Sequence, residues 1–164
     1  MNKVGIIMGS KSDFEIAQAS IDVLKELGIE YEVIVLSAHR TPERTGEWAR
    51  TADERGLVAI IALAGAAAHL AGVIASETNV PVVAVPIAAT SMNGIDALYA
   101  MVQMPGGIPV ATMAIGKAGA KNAGLFAAQI IGRSDKAMYG KLLAYREAMK
   151  EKVYKDNEAV QEML

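Results

Sequence analysis

Two histidines, an arginine, an aspartate and several hydroxyls stand in three short loops of this chain. They are Gly9-Ser10-Lys11-Ser12-Asp13, Ser37-Ala38-His39-Arg40-Thr41-Pro42 and Ala64-Gly65-Ala66-Ala67-Ala68-His69-Leu70. An imidazole suits proton shuttling near neutral pH. A guanidinium grips a phosphate or carboxylate through two parallel hydrogen bonds. Backbone amides at a strand-to-helix turn favour an anion, and small residues let the main chain approach a ligand closely. The combination points to a small-molecule site for an anionic ligand and proton transfer.

Each loop also has a plainer reading. Ser10 and Asp13 fit the [ST]-x-x-[DE] pattern of a helix cap, so the first loop either binds phosphate or simply caps a helix. In the site reading, Ser10 and Ser12 donate hydroxyls and Asp13 accepts from ribose hydroxyls. His39 and Arg40 either form a proton-transfer and anion pair, with Ser37 beside them, or belong to a capping loop. His69 either lines the site or packs. The first loop is neither a Walker A loop nor a GxGxxG fingerprint, and no G-x-S-x-G elbow supports a serine hydrolase. The chain contains no cysteine, which removes disulfides and thiolate chemistry. The two histidines lie far apart in sequence with no carboxylate at ligand spacing, so no metal site is expected.

The elements that must position these loops are readable from periodicity. Strands are expected at Lys3–Met8, Tyr31–Leu36, Leu57–Leu63, Val82–Val85 and Val110–Ile115. Helices are expected at Asp13–Leu27, from Pro42 to about Arg55, Ala67–Thr78, Asn93–Gln103, Lys117–Ile131 and Asp135–Tyr154, followed by a frayed tail. Strands alternating with helices imply a parallel sheet with right-handed crossovers. Five strands suggest a flavodoxin-like, three-layer α/β/α sandwich, with residues 1–164 as one domain. Successive strand–helix loops then emerge at one edge of the sheet, and the three loops converge on a crevice at the carboxyl ends of the strands.

The stretch Leu57–Ala75 carries no charged side chain and approaches the length of a membrane span. It reads instead as a buried parallel strand, a glycine loop and an apolar helix. The N-terminal apolar run is too short for a secretory signal, so a cytoplasmic protein is expected. A net charge of −2 gives no general nucleic-acid footprint. From Leu57 to Ile131 the only charged side chains are Glu77, Asp96, Lys117 and Lys121, which leaves too little polar surface for a monomer and points to burial against other subunits.

Met8-Gly-Ser-Lys-Ser-Asp13, Ser37-Ala-His-Arg-Thr-Pro42, Gln103-Met-Pro-Gly-Gly-Ile-Pro109 and Ala114-Ile-Gly-Lys-Ala-Gly119 occur in an order and spacing that resembles the PurE family of purine biosynthesis. The resemblance covers nearly the whole chain. It implies a homo-octamer that converts N5-carboxyaminoimidazole ribonucleotide to 4-carboxy-5-aminoimidazole ribonucleotide with no cofactor or metal. It implies His39 as general acid/base, with Ser10, Asp13 and Arg40 on the nucleotide and Ser12 and Ser37 as neighbours. His69 corresponds to a second site histidine, and Ala64, Gly65 and Leu70 belong to the loop that holds the migrating carboxylate.

The third loop departs from the family's usual A-G-A-G-G-A-A-H-L-P-G-M. Leu63 and Ala66 replace glycines and Ala71 replaces proline, changes that bear on the carboxylate pocket. A direct aminoimidazole ribonucleotide carboxylase and a non-catalytic nucleotide-binding oligomer therefore stand as alternatives. Animal-type carboxylases carry S-A-H-K and A-G-R-S-N, whereas this chain has Ser37-Ala-His-Arg40 and retains Ala68-His69-Leu70.

Overall fold

Val- and Ile-rich runs with no room for a solvated face form the centre of the molecule, as expected for parallel strands covered on both sides. The computed structural model describes residues 2–164. Strands β1 (Lys3–Met8), β2 (Glu30–Val35), β3 (Leu57–Gly65), β4 (Val82–Ile87) and β5 (Ala111–Thr112) form one sheet in the order β2-β1-β3-β4-β5. Every neighbouring pair is parallel. This is the flavodoxin-like order. Helices α1 (Phe14–Leu27), α2 (Pro42–Arg50), α3 (Leu70–Glu77), α4 (Ile95–Val102), α5 (Lys117–Gly132) and α6 (Lys136–Gln161) complete the fold.

The period-two alternation of strand side chains divides the core into two halves. Along β3, Ala59, Ile61 and Leu63 pack with α1 and α5. Ile60, Ala62 and Ala64 pack in the other half with residues of α2, α3 and α4. Small residues bring α1 and α5 close together, and the buried Ser20 hydroxyl donates to the Ala120 carbonyl at 2.6 Å. Gly28 ends α1 in a left-handed conformation, φ 70°, which glycine adopts without a steric cost. Lys141 of α6 then donates to the carbonyl of Leu27 at that same helix end, at 2.6 Å.

Boundaries differ from the sequence expectation in several places: α3 opens at Leu70 instead of Ala67, α4 at Ile95 instead of Asn93, and β3 and β4 each run two residues further. The first helix begins at Phe14, because residues 11–13 form a separate 3₁₀ turn. Helix α2 stops at Arg50, where the Thr51 hydroxyl donates back to the Glu47 carbonyl and Arg55 donates to the Trp48 carbonyl. Both contacts offer those carbonyls an alternative to the helical ladder. Strand β5 is only two residues long. The Thr112 position pairs with Ala84, but the next residue of β4 facing β5 is Pro86, which has no N–H to donate. Gly116 still donates to the Pro86 carbonyl at 2.9 Å. The last helix does not end at Tyr154: α6 continues to Gln161, since residues 155–161 contain neither glycine nor proline.

Candidate functional site

The loops that follow β1, β2 and β3 leave the sheet at one edge and enclose a cleft of about 350 Å³. Ser10, Ser12, Asp13, Ser37, His39, Arg40, Ala64, Gly65 and Leu70 all line it. His69 lies outside that lining and reaches it through His39: His39 Nε2 and His69 Nδ1 are 3.0 Å apart, with the rings edge to face. The cleft also takes in Gly9, Ala38, Ala66 and Ala67 of the same three loops, and Ala89, which lies outside them. Ala89 follows the fourth strand, so the same-edge rule applied once more would have found it.

The first loop both caps a helical turn and faces the cleft. Ser10 N–H donates to Asp13 Oδ2 at 3.1 Å, and the Ser12 N–H and hydroxyl both donate to Ser10 Oγ. This is a complete capping box, and it leaves the hydroxyls and the carboxylate on the cleft wall. Burial pushes the Asp13 carboxyl above the ordinary carboxylate range, against the hydrogen bonds from Ser12 and Ser10 and the nearby Arg40 charge.

The second loop is closed by Thr41, whose Oγ1 accepts from Ser37 N–H at 2.9 Å and donates to the Ser37 carbonyl. Pro42 then opens α2 at a position where no N–H is needed. Arg40 is held in the cleft by two contacts: Nε donates to Ser37 Oγ at 3.3 Å and Nη2 to the Gly9 carbonyl at 2.8 Å. The guanidinium therefore ties the second loop to the first.

The third loop is set by close packing. A Cβ on Gly65 would lie 2.5 Å from Ala89 Cβ and 3.0 Å from the Ile87 carbonyl oxygen, so the residue there must be glycine. Of the three departures named above, Leu63 and Ala71 are fully buried, in the two halves of the core. Only Ala66 reaches the cleft. It turns the chain in a left-handed conformation, φ 54°.

A second cleft, of about 480 Å³, lies between the start of β4 and residues 107–109 and contains none of these groups. Among the described residues no cluster of three or more His, Cys, Asp or Glu side chains is placed to hold a metal ion. No helix among them is long and apolar enough to cross a membrane.

Comparisons with known proteins agree with this geometry. The AIR carboxylase family model matches residues 3–152. The N5-carboxyaminoimidazole ribonucleotide mutase of Bacillus subtilis is 52% identical over 155 residues, covering 94% of this chain and 96% of that protein. The mutase of the same name from Thermotoga maritima is 50% identical over 153 residues, covering 93% and 88%. A crystal structure of Treponema denticola PurE superposes with a TM-score of 0.86 at 31% identity, covering 96% of this chain and 98% of that one. By sequence over nearly its whole length and by fold, the chain belongs to the AIR carboxylase family.

Proposed function

We propose that the protein is an N5-carboxyaminoimidazole ribonucleotide mutase of purine biosynthesis, with His39 as its general acid/base. The observation that carries this reading is the 3.0 Å His39–His69 contact beside the cleft that also holds Arg40, Ser10 and Asp13. Family membership and relatives of that name at 50–53% identity support it.

The cleft suits the chemistry. Arg40 and the serines hold the phosphate, and Asp13 accepts from the ribose. His39 donates a proton to the carbamate nitrogen as the carbon–nitrogen bond breaks, releasing carbon dioxide and leaving the free amine. The enamine-like C4 of the imidazole then attacks that carbon dioxide, and His39 takes the C4 proton back. Atoms balance as an isomerisation, with no ATP, metal or other cofactor. Main-chain amides of the Gly65 loop hold the transferred carboxylate in this reading. Holding carbon dioxide beside C4 makes the recombination effectively intramolecular. In the His39–His69 contact one ring donates and the other accepts, so the two tautomers are coupled.

The assembly in this reading is a homo-octamer working in the cytoplasm. Apolar side chains left uncovered on α4 and in the turn before it support assembly: Met92 in the turn and Ile95, Tyr99 and Val102 on the helix are all exposed. A second exposed series, Met149, Val153, Tyr154 and Val160, runs along α6.

The deciding experiment compares ATP-free product formation from the N-carboxylated nucleotide with that from aminoimidazole ribonucleotide plus dissolved carbon dioxide. Conversion of the first, insensitive to a carbon dioxide scavenger, is expected. Activity only with the second makes the protein a direct carboxylase. Nucleotide binding without either reaction makes it a binding protein.

A further inference from the structure

The segment between β3 and α3 is pinned at both ends. Gly65 is still paired in the sheet, opposite Ile87, and is wedged against Ala89. Ala68 is buried in the core. Between these anchors only Ala66 and Ala67 are exposed, and the turn closes with His69 N–H donating to the Ala67 carbonyl at 2.8 Å. His69 lies beyond the second anchor and opens α3, its carbonyl accepting from Val73 N–H at 3.0 Å, so the backbone at Ala66 sets the course of the exposed arc between Gly65 and Ala68.

That backbone is unusual. Ala66 and Asn93 are the two non-glycine residues with positive φ among those described. Asparagine tolerates the left-handed region, whereas a β-carbon makes it costly for alanine. Strained conformations of this kind persist where the surroundings over-determine them, and they cluster at functional sites. The usual family residue at this position, glycine, reaches the same conformation freely, but it reaches several others as well.

We propose that Ala66 is a positioning residue: it confines the Gly65–Ala68 arc to one arrangement, which keeps the loop amides against the transferring carboxylate. The proposal deepens the mutase reading and rests on it for its catalytic consequence. A loosened arc would let carbon dioxide escape before C4 captures it. The observable is the share of nucleotide that leaves decarboxylated instead of as product.

The test is Ala66→Gly in the full chain, read in three ways. The melting temperature is expected to stay level or rise, because the substitution removes the steric cost of the left-handed alanine. Amide deuterium exchange of the peptide spanning residues 64–72 is expected to quicken several-fold. The ratio of decarboxylated nucleotide to product is expected to rise about three- to tenfold, with KM changed less than twofold. Unchanged exchange, or an unchanged product ratio, overturns the proposal. Wild-type turnover of the N-carboxylated nucleotide tests the functional reading by itself. Should that turnover fail, the exchange comparison still decides whether Ala66 holds the arc.

Discussion

Arg40 and Gly9 are 31 residues apart in sequence, yet Nη2 of the arginine donates to the glycine carbonyl at 2.8 Å. The same guanidinium is held through Nε by Ser37. Its plane is thus fixed before any ligand arrives, which lowers the ordering cost of gripping an anion.

Arg40→Lys keeps the charge and loses the planar fork. A lysine ammonium has three donors on a flexible stem but no rigid fork to stay fixed on Ser37 Oγ and the Gly9 carbonyl while presenting paired N–H groups to a phosphate. Nucleotide affinity is expected to fall about 10- to 100-fold, as for the loss of a charge-assisted hydrogen bond worth about 1.5–3 kcal/mol. Turnover at saturation should fall much less. Calorimetric Kd values and the split between KM and kcat check this.

His39→Asn preserves a polar side chain and removes the proton carrier. Turnover is expected to drop by about 10² to 10⁴, the usual worth of general acid/base catalysis. Nucleotide binding should stay within a few-fold of wild type. Near-normal turnover in this variant would take His39 out of the reaction.

Asp13 and Glu32 are partly shielded carboxylates whose pKa values shift in opposite directions. Burial raises the Asp13 pKa in the folded protein, so the folded state holds this proton more tightly than the unfolded one. Its stability contribution is most favourable below the unfolded value of about 3.9 and declines as pH rises through the folded value. In Asp13→Asn that decline should vanish from the melting-temperature profile of the ligand-free protein. Nucleotide affinity should fall as well, because the ribose acceptor is lost.

Glu32 behaves the other way. Burial pushes its pKa up, but Lys3 and Arg55 more than offset this, and the net shift is downward. Its carboxylate accepts from Lys3 at 2.6 Å, the Trp48 indole at 3.0 Å and Arg55 at 3.1 Å. The unfolded state therefore binds the proton more readily, so stability is full above the unfolded value of about 4.3 and is lost as pH falls through the lower folded value. Glu32→Gln should lower stability by about 1–2 kcal/mol at pH 7 and flatten this acid limb. Urea denaturation at several pH values measures both effects.

Location was legible in the sequence because it follows from topology. Once β1, β2 and β3 are recognised as parallel strands, their carboxyl-end loops must share an edge, so Ser10, His39 and Gly65 had to meet. Main-chain detail was less legible. The short β5 depends on Pro86 lying on the β5 side of β4, a register fact that periodicity does not carry. The departures at Leu63 and Ala71 looked as relevant to the pocket as Ala66. Which of the three reaches the cleft is decided by strand alternation and helix placement, which put Leu63 and Ala71 into the core. Trp48, unremarkable as a helix residue, became informative only through Glu32 and Arg55, its partners from β2 and from the turn after α2.

The sheet order also makes the site a gauge. The loops bearing His39 and Gly65 rise from β2 and β3, which flank β1. Those two strands are separated by two inter-strand steps, about 10 Å, held by main-chain hydrogen bonds. Lengthening or shortening a loop changes how far a side chain reaches but leaves that baseline untouched. The three supports for a ligand are therefore spaced by the backbone itself. A molecule must match that span end to end before any side chain can select it.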